Sequence, residues 1–312
     1  MKYKEARYDI STSAYAQDFR SSLKGLHGNY TSLERGVTDN GMQFLPESME
    51  NRLKSILKEN SVFRSLASVF TGYDGSLSIH TFAYDDYADF VPEGEEIPVT
   101  DTDDDFSKLT VNCHKLAVFY KLPYEFVRDS AFNTEEYIAK RTAKNVSKAE
   151  NKAFLLGDGE DEPTGLLNDE GGAEIGVTAN SLSYDGIVEL FFSVKPEYRK
   201  NAVWIMNDQT ALTLRKLKDT VGHPIWNEAH DTILGRPVLI CNDMPDVDAG
   251  EKCILFGDMS YYWIIERSPV CLKILNELFA VQGQIGYIGT EFIDGKLIRS
   301  EAVKVLQIAE TE

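Results

Sequence analysis

The chain has 312 residues, 43% of them hydrophobic and 26% charged, the proportions of a folded protein rather than a disordered one. Fifty acidic against 32 basic side chains leave a formal net charge of −18, which repels phosphate and excludes non-specific wrapping of nucleic acid. No stretch approaches the roughly 18–20 apolar residues of a membrane span. The start MKYKEARYDIS lacks the apolar core of a secretory leader, and Cys113, Cys241, Cys253 and Cys271 form no CxxC pair, so neither a membrane nor a disulfide is expected.

Residues 1–36 are polar and slightly basic, with one weakly amphipathic stretch, AYAQDFRSSLKGL, which reads as an arm or a small helical appendage. A firmer helix is predicted at PESMENRLKSILKEN. Pro46 suits the first helical position, Glu47 and Glu50 suit the positive end of the dipole, and Met49, Leu53, Ile56 and Leu57 share one face. Val62, Phe63, Leu66 and Val69 carry an apolar segment on into the turn TGYDGS.

Residues 71–107 contain no Lys or Arg, and ten carboxylates lie within 85–105. The same stretch carries Phe82, Tyr84, Tyr87, Phe90, Val91, Ile97 and Val99, more apolar surface than an acidic tail has. An extended two-stranded loop is predicted, turning near Pro92-Glu93-Gly94, and a loop this long inside a compact domain is usually functional.

KLTVNCHKLAVFYKLPYEFV then reads as one strand ending near Pro123. The longest helix is predicted over 134–156, with Asn133 as its cap and Glu136 three positions on. It is about 35 Å long. Ile138, Val146, Ala149, Ala153 and Phe154 are its apolar positions, and Lys140, Lys144, Lys148 and Lys152 repeat every fourth residue as a basic stripe. Gly157-Asp158-Gly159 ends it. Residues 168–180 read as a loop. A helix (184–194), a strand (202–206), a helix (208–217), a loop with His223 and Pro224, and a strand (237–241) follow. Further strands are predicted near 252–256, 261–266, 270–281, 284–293 and 302–308, with Asp294-Gly295 as a hairpin turn. Helices alternating with strands, then a run of strands, indicate an α+β fold.

No catalytic or metal signature emerges. Asp101, Asp103 and Asp105 begin like a calcium loop, but Phe106 and Asn112 stand where Gly and Glu are required. Gly157-x-Gly159-x-x-Glu162 follows a helix rather than a strand and lacks a third glycine. There is no GxxxxGK[ST], GxSxG or HExxH, and His27, His80, His114, His223 and His230 are scattered. No spacing singles out a carboxylate pair for glycoside hydrolysis. No catalytic residue, cofactor or metal is assigned.

One block is specific. NKAFLLGDGEDEPTGLL, with Glu150, Ala153, Phe154, Leu155, Gly157, Asp158, Gly159, Pro163, Gly165 and Leu166, resembles the tailed-bacteriophage major capsid protein family of the Hong Kong 97 type, where a long "spine" helix runs into a GDG loop and then PxGL. Further segments are similar to that family in the same order: GVTDNGMQFLPESMENRLKSILKENSVFRSLASV to its N-terminal arm and first helix, and the acidic stretch to its E-loop. FSKLTVNCHKLAVFYKLPYEFVRDS, WIMNDQTALTLRKLKDTVGHPIWN, ILGRPVLICNDMP and IDGKLIRSEAVKVL resemble its later strands and helices.

The resemblance implies a Hong Kong 97-like capsid fold of α+β class. It implies an N-terminal extension (1–36), an N-arm with the first helix (37–77) and an E-loop (78–108). A peripheral domain (109–167 and 267–296) would hold spine helix 134–156, and an axial domain would comprise 168–266 and 297–312. It implies a structural, non-enzymatic shell protein that self-assembles into hexamers and pentamers and encloses double-stranded DNA without reading its sequence. A separate scaffolding protein, a portal and a cement protein are the implied partners. The implied location is the virion capsid, assembled in the bacterial cytoplasm. Tyr84, Tyr87, Phe90, Glu93, Glu95 and Glu96 would make assembly contacts. The lysine stripe would meet a neighbour's acidic loop or enclosed phosphate, or form a solvated helix face. Some members of the family crosslink subunits through an E-loop lysine, which this loop does not contain. An encapsulin-type nanocompartment shell and an acidic α+β hydrolase stand as alternatives.

Overall fold

In a computed structural model, which describes residues 10–26, 28, 30–38, 41–71, 77–82, 106–129, 132–217, 226–227 and 231–310, the elements follow in chain order. They are α1 (Ser13–Leu23), β1 (Gln43–Phe44), α2 (Glu47–Asn60), α3 (Val62–Leu66), β2 (Ser68–Thr71), β3 (Leu77–Phe82), β4 (Phe106–Val111), β5 (His114–Pro123), α4 (Tyr124–Arg128) and α5 (Thr134–Leu156). Then come β6 (Glu174–Ala179), α6 (Tyr184–Ser193), α7 (Pro196–Arg199), β7 (Val203–Met206), α8 (Asp208–Lys216), β8 (Trp226–Asn227), β9 (Thr232–Ile233), β10 (Arg236–Ile240), β11 (Lys252–Gly257), β12 (Tyr262–Leu275), β13 (Gln284–Leu297) and β14 (Val303–Ile308). The mixture of helix and sheet is the α+β class expected.

Two larger sheets organise the chain. The first has seven strands in the order β6-β14-β11-β7-β10-β9-β8, parallel at β6–β14 and β7–β10. Every residue of β7 and β11 is buried, and apart from Lys252 at the start of β11, whose ammonium donates to the Leu167 carbonyl, both are continuous apolar runs. Ile187 and Leu190 of α6 and Ala211 and Leu214 of α8 join Trp204 and Phe256 in its core. The second sheet is built on the antiparallel ladders β12–β13 and β13–β5, and β12 also takes β1 and β2 on its far edge. Against it pack Met49, Leu53 and Leu57 of α2 and Ile138 and Val146 of α5. The C-terminal end of α5 reaches the first core through Phe154 and Leu155, so one helix serves both.

α1 is no appendage. Its N-cap Thr12 accepts the Tyr15 N–H at 3.2 Å, and Tyr15, Phe19 and Leu23, spaced four apart, are fully buried against the second sheet. The Tyr15 hydroxyl donates to the Phe44 carbonyl at 2.7 Å and the Tyr287 hydroxyl to the Leu23 carbonyl at 2.7 Å. Polar neighbours dilute the amphipathic signal of this helix, and three large side chains carry its burial.

Five further readings of the sequence change. The strand expected through 108–123 breaks at Asn112-Cys113 into β4 and β5. Residues 174–179, read as loop, form β6 beside β14. The two strands expected at 261–266 and 270–281 are the single β12, whose register shifts twice opposite β13 between Glu266 and Cys271. Asp294-Gly295 is not a turn: β13 runs straight through it to Leu297. Asp294 is buried and accepts the Asn112 N–H at 2.7 Å, while a Cβ on Gly295 would meet the Tyr262 hydroxyl at 2.4 Å. The dipeptide serves a close approach rather than a reversal. Pro46 caps α2 rather than opening it.

Candidate functional site

The acidic segment is bounded on both sides by anchored strands. β3 and β4 pair antiparallel from Leu77↔Val111 to Phe82↔Phe106, the start of the two-stranded loop expected there. Tyr84, Tyr87, Phe90, Glu93, Glu95 and Glu96 lie outside the described residues. On the entry side, β2 runs parallel to β12, Ser68 to Thr71 beside Trp263 to Glu266. On the exit side, the Asp294 carboxylate takes the Asn112 N–H at the β4–β5 break, and the Lys296 ammonium donates to the Thr110 carbonyl at 2.6 Å. The His114 Nε2 lies 3.7 Å from Asp294 Oδ1. Burial pushes the Asp294 carboxyl above its ordinary range, against the Gly295 and Asn112 N–H groups that favour its charge.

Just before β2 sits a charged cluster that the sequence does not announce. Arg64 of α3 donates to both oxygens of Glu150 on α5 (2.7 and 2.6 Å), to Glu291 Oε1 on β13 at 2.8 Å, and to Glu266 on β12. All four side chains are 7% exposed or less. A signal for it was present: Glu150 continues the series Ile138, Thr142, Val146, every one of them buried. An acid on the apolar stripe of a helix demands a buried partner.

The lysine stripe lies opposite that series. At about 100° per residue, a two-residue offset turns it to the far side of α5. Lys140, Lys144, Lys148 and Lys152 are all exposed. Lys140 pairs with Glu136 at 2.9 Å, an exposed contact that holds the Glu136 carboxyl below its ordinary range. The other three have no ion pair among the described residues. Asn133 caps the helix as expected, accepting the Glu136 N–H at 3.2 Å.

The GDG and PxGL residues form a backbone knot at the end of α5. Gly165 N–H donates to the Gly157 carbonyl at 3.0 Å, and the Leu166 and Leu167 N–H groups donate to the Phe154 and Leu155 carbonyls, each at 2.9 Å. A Cβ on Gly157 would fall 2.0 Å from the Pro163 carbonyl oxygen, and one on Gly165 would fall 2.5 Å from Gly157 N. Gly159 has φ +82°, open to glycine at no cost. One oxygen of Asp158 accepts the N–H groups of Glu160, Asp161 and Glu162, which holds its carboxyl below the ordinary range. The block fixes the chain's reversal from helix into the seven-stranded sheet; its chemistry is architectural.

Outside these anchors several large apolar side chains are exposed. Phe192 on α6 (62% exposed), Ile175 on β6 (49%) and, in the turn before β13, Leu278 (66%) and Val281 (fully exposed) point outward from a single copy. Such patches mark contact surfaces. Among the described residues no group of three or more His, Cys, Asp or Glu side chains could hold a metal ion, and no helix is long and apolar enough to cross a membrane. The four cysteines are free thiols.

Comparison with known proteins bears on this arrangement. The phage capsid family matches the chain over residues 41–308. The capsid of an empty GTA (gene transfer agent) particle, solved with C5 symmetry, is 30% identical, with a TM-score of 0.72 over 80% of this chain and 90% of that one. A chain of Microbacterium phage Oxtober96 is 16% identical, with a TM-score of 0.59 over 80% of this chain and 91% of that one. A chain of the satellite phage P4 procapsid, solved with a size determination protein, is 12% identical, with a TM-score of 0.54 over 83% of this chain and 99% of that one. The last two likenesses speak to the fold alone. No curated protein matches.

Proposed function

The chain belongs to the phage capsid family and is a structural shell protein; from that premise we propose that it is the major capsid protein of a tailed double-stranded-DNA bacteriophage, assembling into hexamers and pentamers of an icosahedral head. The observation that carries the proposal is the pairing of a capsid-like body with a long acidic segment held at both roots. Its aromatics need cover that an isolated hairpin cannot give, and an adjacent subunit supplies it. In this reading the seven-stranded sheet is the axial domain (168–266 and 297–312), although β12 runs unbroken across the 266/267 boundary. The sheet built on β12, β13 and β5, with α5, is the peripheral domain (109–167 and 267–296). The acidic chain encloses DNA without adhering to it, in a virion assembled in the host cytoplasm. A separate scaffolding protein assists assembly. A portal and a cement protein complete the particle.

A second reading is favoured by the 30% identity to the GTA capsid: the same shell, loaded with genes for transfer rather than with a viral genome. Electron microscopy of the expressed protein, with sequencing of the enclosed nucleic acid, tests both. Closed shells holding one discrete genome support the phage head, shells holding mixed host DNA support the transfer particle, and a monomer at high concentration overturns the shell assignment. The absence of lysine from 71–107 further implies a shell held non-covalently, because crosslinking from the loop needs an amine nucleophile. Particles boiled in detergent should give a single band near 35 kDa; a ladder of multiples surviving reductant would assign the role to another lysine, such as Lys108.

A further inference from the structure

The Arg64 cluster is unbalanced in charge. One guanidinium faces Glu150, Glu266 and Glu291. From α2, Glu50, also buried, faces the same space with Lys54 at 2.6 Å, and Cys271 of β12 lies on the same side. Two cations, the buried Arg64 and the partly exposed Lys54, therefore stand against four buried carboxylates. Glu291 Oε1 meets Arg64, but its Oε2 is buried without a hydrogen-bond partner, and the residue is 1% exposed. Beside it a cavity of about 10 Å³, lined by Glu50, Lys54, Glu266 and Glu291 with Leu53 and Val270, is the size of one water molecule. No group there is arranged to hold a metal ion. An ionised carboxylate left unpaired in such a place is far more costly than a neutral one.

We propose that the three glutamates around Arg64 bind a proton, resident on Glu291 Oε2. In that state they form a proton-linked fastener locking the α3–β2 corner onto α5 and the β12–β13 ladder. Burial, together with the charges of Glu150 and Glu266, drives the Glu291 carboxyl well above its ordinary range, with Arg64 opposing. Its folded-state pKa therefore lies above its unfolded value of about 4.3. The stabilisation is complete below that value and is lost as pH rises through the folded one. Loss of the proton frees the corner from which the acidic segment departs.

Glu291→Gln, neutral at every pH and shaped like the protonated acid, tests this in the full chain. Amide exchange over residues 62–71 is compared between wild type and variant at equal pH, from pH 6 to pH 9. Between the unfolded-state value and the folded-state one, local opening in the wild type should rise about tenfold per pH unit relative to the variant, the signature of one proton released on opening, and above the folded-state value the difference should level off. Wild type at pH 6 should also show the infrared band of a buried carboxylic acid that the variant loses. Parallel pH dependences, an unchanged infrared band, or a variant that fails to fold would each overturn the proposal. The readout concerns the subunit itself, so its outcome is separate from that of the shell assignment.

Discussion

The two sheets solve the same burial problem with different chemistry. The seven-stranded sheet has a largely apolar core: β7 and β11 are buried along their whole length, apolar apart from Lys252 at the start of β11, and the Trp204 and Phe256 rings, paired across β7 and β11, stack at 4.0 Å. The sheet of β12, β13 and β5 instead buries Glu50, Glu150, Glu266, Glu291 and Asp294 in or against itself, and its central ladder shifts register twice. Apolar packing is non-directional and tolerates small movements. Buried charge fixes geometry sharply but depends on every partner being present. The acidic segment is rooted in the charged sheet, at Arg64 on one side and Asp294 on the other. The exacting chemistry thus sits at the roots of the acidic segment, and the forgiving chemistry sits where a domain must only stay folded.

The largest effect expected from breaking this contrast is in the seven-stranded sheet. Trp204→Ala removes a fully buried ring and leaves the Ile233 carbonyl, which now accepts the indole N–H at 3.0 Å, without that donor. A loss of about 3–5 kcal/mol is expected in denaturant unfolding. It should be nearly the same at pH 5 and pH 8, since no titrating group is involved.

Arg64→Met should cost a comparable or slightly smaller amount, about 3–5 kcal/mol at pH 8, because it strands carboxylates that lose their cation. Its signature is the pH dependence. Without Arg64 the cation that opposes proton uptake by the buried Glu291 is gone, so the deficit should shrink as pH falls toward 5 and Glu291 is protonated. A deficit independent of pH would mean that the cluster acts through packing alone, and the contrast between the sheets would collapse.

This contrast also marks what the sequence discloses. The long helix is read to the residue, 134–156, because its cap, its apolar series and its terminal glycine agree. Helices 184–194 and 208–217 are each within a residue of their observed ends. The readings that change cluster around the charged sheet and its partners. Asp294-Gly295 has the composition of a turn, and only the arrival of Asn112 and the Tyr262 ring from elsewhere makes it a strand interior. Arg64, Glu266 and Glu291 are 202 and 227 residues apart from arginine to each acid, so no local pattern pairs them. The knot of Gly157 and Gly165 was recognised as a motif, whereas its cause, two backbones in contact, is visible only in three dimensions.

Removing the segment itself should cost the subunit little. The β3–β4 ladder begins at Phe82↔Phe106, so deleting residues 84–104 leaves a two-residue connection across an intact root. Closing a shorter loop is slightly favourable in entropy, and the unfolding free energy should stay within about 1 kcal/mol of wild type. Assembly should nevertheless fail in sedimentation. Normal shells would show that the acidic segment supplies nothing that the shell requires.

A comparably small effect on the subunit is expected at the exposed face of α5, a charged surface that packs against neither sheet. Changing Lys140, Lys144, Lys148 and Lys152 together to Glu leaves helix propensity nearly unchanged. It removes the Lys140–Glu136 pair at 2.9 Å and sets four acids at i, i+4 spacing. Each like-charge pair there costs about 0.2–0.5 kcal/mol, and exposed pairs are screened by salt. Destabilisation near 1 kcal/mol is therefore expected in low salt, fading as salt is added. The informative readout is the particle. If the stripe meets a neighbour's acidic segment, shell yield should fall and high salt should weaken the wild type toward the variant. If it meets enclosed phosphate, yield should hold and DNA retention should fall. Unchanged yield and unchanged retention would leave the four lysines as a solvated face.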